Sequence, residues 1–63
     1  MNTRTRENLL EVATRAFARD GFAATSLRSI AKEAGVSPAL VVHHFGSRDE
    51  LIEECVVRAL GLW

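Results

Sequence analysis

Apolar residues recur at helical spacing in four stretches of the chain, and glycines and a single proline separate those stretches. Over about residues 5–20, Leu9, Ala13, Ala16 and Phe17 fall at i, i+4, i+7 and i+8, the stripe of an amphipathic helix. Gly21 ends it, and Phe22 just beyond is placed to pack back on the last turn. A second helix, over about 26–34, is announced by Thr25-Ser26, either of which can cap it, and carries Leu27, Ile30, Ala31 and Ala34 on one face up to Gly35. Ser37-Pro38 pairs a capping hydroxyl with a proline whose missing N–H costs nothing at a first helical position. It opens a third helix, about 38–45, with Leu40, Val41 and Phe45 inward and Gly46 as its stop. Ser47 and Glu50 have the spacing of a capping box, the carboxylate reaching back to the Ser47 amide. The fourth helix they predict runs over about 48–63, its stripe Ile52, Cys55, Val56, Ala59 and Trp63, with Leu51 and Leu60 beside it. No stretch sustains the alternation of a strand, and Val41-Val42 is too short and too near Pro38 to be one. The pattern predicts an all-α fold, a short bundle of four helices.

Length and composition narrow this. Sixty-three residues hold one domain, of a size that buries only about 60% of its surface on folding. The single cysteine, Cys55, sits on an inward stripe and excludes an internal disulfide, and no metal-ligand spacing is present, so the chain reads as cytoplasmic, with neither metal nor cofactor. No run approaches eighteen apolar residues and no signal peptide fits, so no membrane partner is expected. The formal charge is zero but uneven. Residues 1–48 hold seven basic side chains against four acidic ones, whereas residues 49–63 hold Asp49, Glu50, Glu53 and Glu54 against Arg58. One part of the molecule is therefore suited to meet anions and the other is not.

Catalysis is not expected. The chain has no tyrosine and no glycine-rich phosphate loop, and Glu50, Glu53 and Glu54 belong to a solvated helix start, not a cleft. His43 and His44, as neighbours on a helix, point about 100° apart and do not share a metal.

Only Gly35-Val36-Ser37 separates the second helix from the third, which is too tight for an antiparallel hairpin of long helices and suits a helix-turn-helix. Small Ala31 lies where the two helices touch, Gly35 opens the turn, Val36 plugs it and Val41 anchors the second helix of the pair. A residue larger than Ala at 31 forces the helices apart.

From Arg6 to about Leu60 the chain resembles the N-terminal DNA-binding domain of TetR-family transcriptional regulators, a homeodomain-like helix-turn-helix. The match is carried by Ala16-Phe17 with Gly21-Phe22, by Thr25-Ser26-Leu27-Arg28-Ser29-Ile30-Ala31 leading into Ala34-Gly35-Val36-Ser37, and by His44-Phe45-Gly46-Ser47-Arg48-Asp49-Glu50-Leu51. The resemblance implies sequence-specific binding of double-stranded DNA, with repression as the expected outcome. Thr25 and Ser26 would meet a phosphate at the start of helix two, where free amides favour an anion, and Arg28 would reach a base edge or a phosphate. Ser37, Pro38, Ala39 and His43 would face the major groove, with His44 and Arg48 clamping the flanking backbone. The sequence departs from the family at Val42, where a tyrosine is usual, so apolar contact replaces a ring and hydroxyl there. The resemblance also implies a larger C-terminal domain that dimerises and binds a small-molecule inducer, and these residues are expected to carry neither property. A homodimer built through it would set two recognition helices about 34–36 Å apart, or a multiple of that.

Each residue also has a plainer role. His43 suits a bare surface and His44 the edge of the inward stripe, Thr25 explains itself as a cap, and Arg28 can pair with Glu33 or stand alone in solvent. Arg48 can serve its own helix face, while Arg4 and Arg6 read either as a frayed terminus or as a basic arm reaching the duplex. A function of another class is also open. The fourth helix carries Val56, Val57, Leu60, Leu62 and Trp63, more apolar surface than one covered side needs, which suits docking on a protein partner.

Overall fold

The computed structural model describes residues 3–61 as four α-helices joined by short turns, α1 (Thr3–Asp20), α2 (Leu27–Ala34), α3 (Pro38–Phe45) and α4 (Arg48–Ala59). Helix α1 packs on α2 and α4, and α3 packs on α2 and α4, so the two pairs close around a single core. That core holds Leu9, Leu10, Ala13, Ala16 and Phe17 of α1, Ile30 and Ala31 of α2, Val41 and Phe45 of α3, and Leu51 and Cys55 of α4. Leu10 lies outside the stripe read from spacing. It is buried because α1 meets two helices at once, which widens its apolar face.

The helix ends follow local chemistry. The Gly21 amide donates to the Phe17 carbonyl at 2.8 Å, and the Phe22 ring closes back on Phe17 with centroids 5.0 Å apart. Ser26 is the cap of α2: its Oγ accepts the Ser29 amide at 3.0 Å, and Ser29 Oγ accepts the Ser26 amide at 3.0 Å. This is a reciprocal capping box in which serine stands in the usual glutamate place. At the other end Val36 donates to the Ala31 carbonyl at 2.9 Å and Gly35 to Lys32 at 3.2 Å, a Schellman closure that requires a left-handed residue. Gly35 supplies it with φ +76°. Ser37 caps α3 by accepting the Leu40 amide at 3.2 Å, with Pro38 in the first turn.

Helix α4 differs from its sequence reading in three respects. It ends at Ala59, because Gly61 turns left-handed at φ +71° and donates to the Arg58 carbonyl at 3.1 Å. Trp63 and Leu62, expected to extend the apolar face, lie outside the described residues. Its buried seam is Leu51 and Cys55, with Ile52 beside it, whereas Val56, Ala59 and Leu60 stay exposed, since α4 must face α1 and α3 together. Finally, only half of the expected capping box forms. Ser47 Oγ accepts the Glu50 amide at 3.2 Å, but the Glu50 carboxylate folds over Gly46. A side chain at 46 would run into that carboxylate, and the backbone there, at φ +91°, independently favours glycine.

Cys55 is a core residue. Desolvation pushes its thiol pKa up, opposed by the Thr14 hydroxyl and the charge of Arg58, so it is a poor nucleophile at neutral pH. Among the described residues there is no helix long and apolar enough to cross a membrane and no cluster of side chains arranged to hold a metal ion.

Candidate nucleic-acid interface

The turn between α2 and α3 is built from the inside out. Ala31 is 1% exposed and Val41 is fully buried, which seats α3 against α2 and leaves Ser37, Pro38, Ala39, Val42 and His43 on the outer surface. Val42 is 45% exposed, an apolar side chain presented to solvent outside the core cluster. His44 is half-buried between His43 and Phe45, its ring centroid 5.4 Å from the first and 6.3 Å from the second. Ser26 and Arg28 stand exposed at the start of α2.

Two candidate residues point elsewhere than the sequence reading put them. Thr25 is 2% exposed, and its hydroxyl donates to the Gly21 carbonyl at 2.8 Å and, more weakly, to the Ala16 carbonyl at 3.4 Å. It ties the loop to the end of α1, while Ser26 alone caps α2. Arg48 is half-buried, with Nε donating to the Thr25 carbonyl at 2.9 Å and Nη2 donating to the Phe22 carbonyl. Its guanidinium is thus drawn back onto the loop that precedes α2.

Ion pairing sorts the remaining cations. Arg6 pairs with Glu54 and lies 4.8 Å from the centre of the Phe45 ring, so it belongs to the fold and not to a basic arm. Arg58 meets Glu7 at 2.6 Å and Arg15 meets Glu11 at 3.2 Å. Arg19 bridges Asp20 and Glu33, each at 2.9 Å, which takes Glu33 away from Arg28. The Arg19 hydrogen bonds hold both carboxyls below the usual carboxylate range, and these bonds raise the pKa of Arg19 in turn. Among the described residues Arg28 and Lys32 have no carboxylate partner. They are four residues apart on α2 and therefore share a face. The reading from sequence passed over Lys32, although its spacing from Arg28 was visible there.

The profile of the bacterial regulatory proteins of the tetR family matches residues 9–55, a span that runs from the first core residue of α1 to the last of α4. The chain belongs to that family. Over 45 residues it is 53% identical to the HTH-type transcriptional regulatory protein RaaS of Mycobacterium tuberculosis, a match covering 71% of this chain and 21% of RaaS. It is 43% identical over 49 residues to the HTH-type transcriptional repressor KstR2 of the same species, covering 78% of this chain and 24% of that protein. A crystal structure of a mutant of HlyIIR superposes with a TM-score of 0.85 at 33% identity, over 92% of this chain and 32% of that one. The tetR-type helix-turn-helix seen here thus spans about a fifth to a third of the length of these relatives.

Proposed function

We propose that this domain binds double-stranded DNA for a transcriptional regulator, most simply a repressor, by laying α3 in the major groove of an operator half-site. The observation that carries this reading is the outer face of the helix-turn-helix. Ser37, Pro38, Ala39, Val42 and His43 are exposed together on α3, and the cations of the adjoining α2, Arg28 and Lys32, are not neutralised by carboxylates among the described residues. Small residues at the start of α3 allow close approach to base edges, and Val42 offers an apolar contact for a thymine methyl. Ser26 at the start of α2 and His44 at the end of α3 serve the phosphates, with Thr25 supporting the loop from within. Regulators of this kind, such as KstR2, carry the name of repressor, and a polypeptide several times longer than this domain has room for dimerisation and inducer sensing outside it.

The test is an amide-shift titration of the chain with a mixed-sequence duplex at low and at high salt. Shifts concentrated at residues 25–28 and 37–48 that fade with salt are the expected result, because phosphate contacts release counterions. Absence of shifts there at millimolar duplex, in a folded chain, would sink the reading. Substitutions at Pro38 or His43 should change which sequences a random pool yields, and an unchanged preference would remove α3 as the reading element.

A second reading rests on a separate feature, an open apolar groove of about 310 Å³ between α1 and α4, lined by Phe17, Phe22, Cys55, Val56 and Ala59. Phe22 and Val56 are 48% and 41% exposed, which suits docking of a protein surface. Such docking would persist at salt concentrations that abolish binding to DNA.

A further inference from the structure

One guanidinium joins the two ends of the proposed DNA face. Arg48 is the first residue of α4, separated from the end of α3 only by Gly46 and Ser47. Its Nε donates to the Thr25 carbonyl at 2.9 Å and its Nη2 to the Phe22 carbonyl, both in the loop that ends at Ser26, the cap of α2. The same loop is gripped from inside by the Thr25 hydroxyl, which donates to Gly21 at 2.8 Å. A single side chain therefore spans from the C-terminal end of α3 to the N-terminal end of α2. The position is electrostatically poor for a cation, since the helix dipole favours negative charge in a first turn, and Asp49 and Glu50 already supply that. Among the described residues Arg48 has no carboxylate partner, so what holds it there is the pair of loop carbonyls.

We infer that Arg48 is a positioning residue of the interface: its fork sets the start of α2 relative to α3, and its charge is not spent on a phosphate of the duplex. The inference rests on the DNA-binding reading above and deepens it. Two carbonyls on one guanidinium require the planar fork of arginine, which the point charge of lysine does not reproduce. A side chain that contacts phosphate contributes about 1 to the slope of log affinity against log salt, whereas one that only positions others contributes to affinity without changing that slope.

The experiment compares the parent chain with Arg48→Lys, Arg48→Ala and Arg28→Ala on a mixed-sequence duplex of about two helical turns. Affinity is followed over a salt series, and amide spectra of the free proteins are recorded alongside. Arg48→Lys and Arg48→Ala are expected to stay folded, to bind roughly tenfold more weakly than the parent, the scale of a lost hydrogen bond to a charged group, and to keep the parent salt slope. Their amide signals should move at residues 22–28 before any DNA is added. Arg28→Ala serves as the contrast, with its slope reduced by about 1 and the signals of residues 22–25 unmoved. Parent-like binding by Arg48→Lys, together with a slope reduced by about 1 in Arg48→Ala, would instead make Arg48 a phosphate contact. If Arg48→Ala does not fold, Arg48→Lys decides alone, because it keeps the charge and loses the fork. A parent chain that shows no salt-dependent binding, with loop signals still moved by the substitutions, would overturn the DNA reading and leave the tie a purely structural one.

Discussion

The α1–α4 side of this domain and its α2–α3 side put their basic residues to opposite uses. On the first, Arg6, Arg15 and Arg58 each meet a carboxylate, and Arg6 also covers the Phe45 ring. On the second, Arg28 and Lys32 stand in solvent with no such partner among the described residues, beside an outer face of α3 that contributes no acidic side chain. Arg19 marks the border, since its salt bridge to Glu33 consumes the one carboxylate of α2. A formal charge of zero thus conceals one side on which Arg6, Arg15 and Arg58 are paired and another on which Arg28 and Lys32 are not, and it is pairing geometry, more than composition, that separates the two.

The comparison is broken most severely by removing the seam that both sides share. Leu51 is fully buried, so Leu51→Ala should cost about 2–5 kcal/mol and leave little or no cooperative unfolding transition in urea, given how small the stability of such a domain is. A parent-like transition would mean that α4 does not sit against α1 and α3 as described. Next comes the joint of the α2–α3 side itself: Ala31→Leu should overpack it by about 1–3 kcal/mol, read as a lower melting temperature. Unchanged melting would disprove the placement of the turn.

Arg28→Ala and Lys32→Ala should leave melting almost untouched and each lower the salt slope of DNA binding by about 1. If neither slope changes, the open cations of α2 do not face the duplex. Arg58→Ala probes the other side, where melting should fall slightly and the salt slope should match that of the parent, because that charge is already engaged by Glu7. The smallest effect concerns acid. Asp20 and Glu33 have carboxyls held low by Arg19, so the stability they contribute is present above the ordinary carboxylate range and is lost as pH falls through their lowered midpoints. Carboxyl carbon titration should find both midpoints below those of unpaired side chains, and normal midpoints would remove the bridge at the border.

Much of the fold was legible because its signals are local. Gly21, Gly35, Gly46 and the pair Ser37-Pro38 are read from neighbours within a few residues, and each marks a helix end in the structure. The stripe of α1 and the small residue at 31 were legible for the same reason, since helical spacing places them before any partner is known. Where two helices compete for one face, the reading slipped. Leu10 and Leu51 stood beside the expected stripes, and both are buried because α1 and α4 each pack on two neighbours. Gly61 offered a stop that the apolar run around it concealed. In the candidate interface the exposed set on α3 was visible, but the inward turn of Thr25 and the reach of Arg48 were not. The carbonyls that Thr25 meets lie 4 and 9 positions back and one that Arg48 meets lies 23 back, and no hydrophobic periodicity encodes them.

By itself, the sequence determined four helices, the stops of the first three, the serine caps of the third and fourth, the tight turn between the second and third, and membership of a family through motifs that keep their spacing. Hydrogen bonds within one turn and the 3.6-residue repeat are sufficient for that, being properties of short segments. Only the tertiary structure decided which charges cancel and which remain available: Glu33 goes to Arg19 and not to Arg28, Arg6 goes to Glu54, and Arg48 goes to the loop before α2. A side chain's partner is set by what folding brings within about 3 Å of it, and that distance is a property of the packed chain.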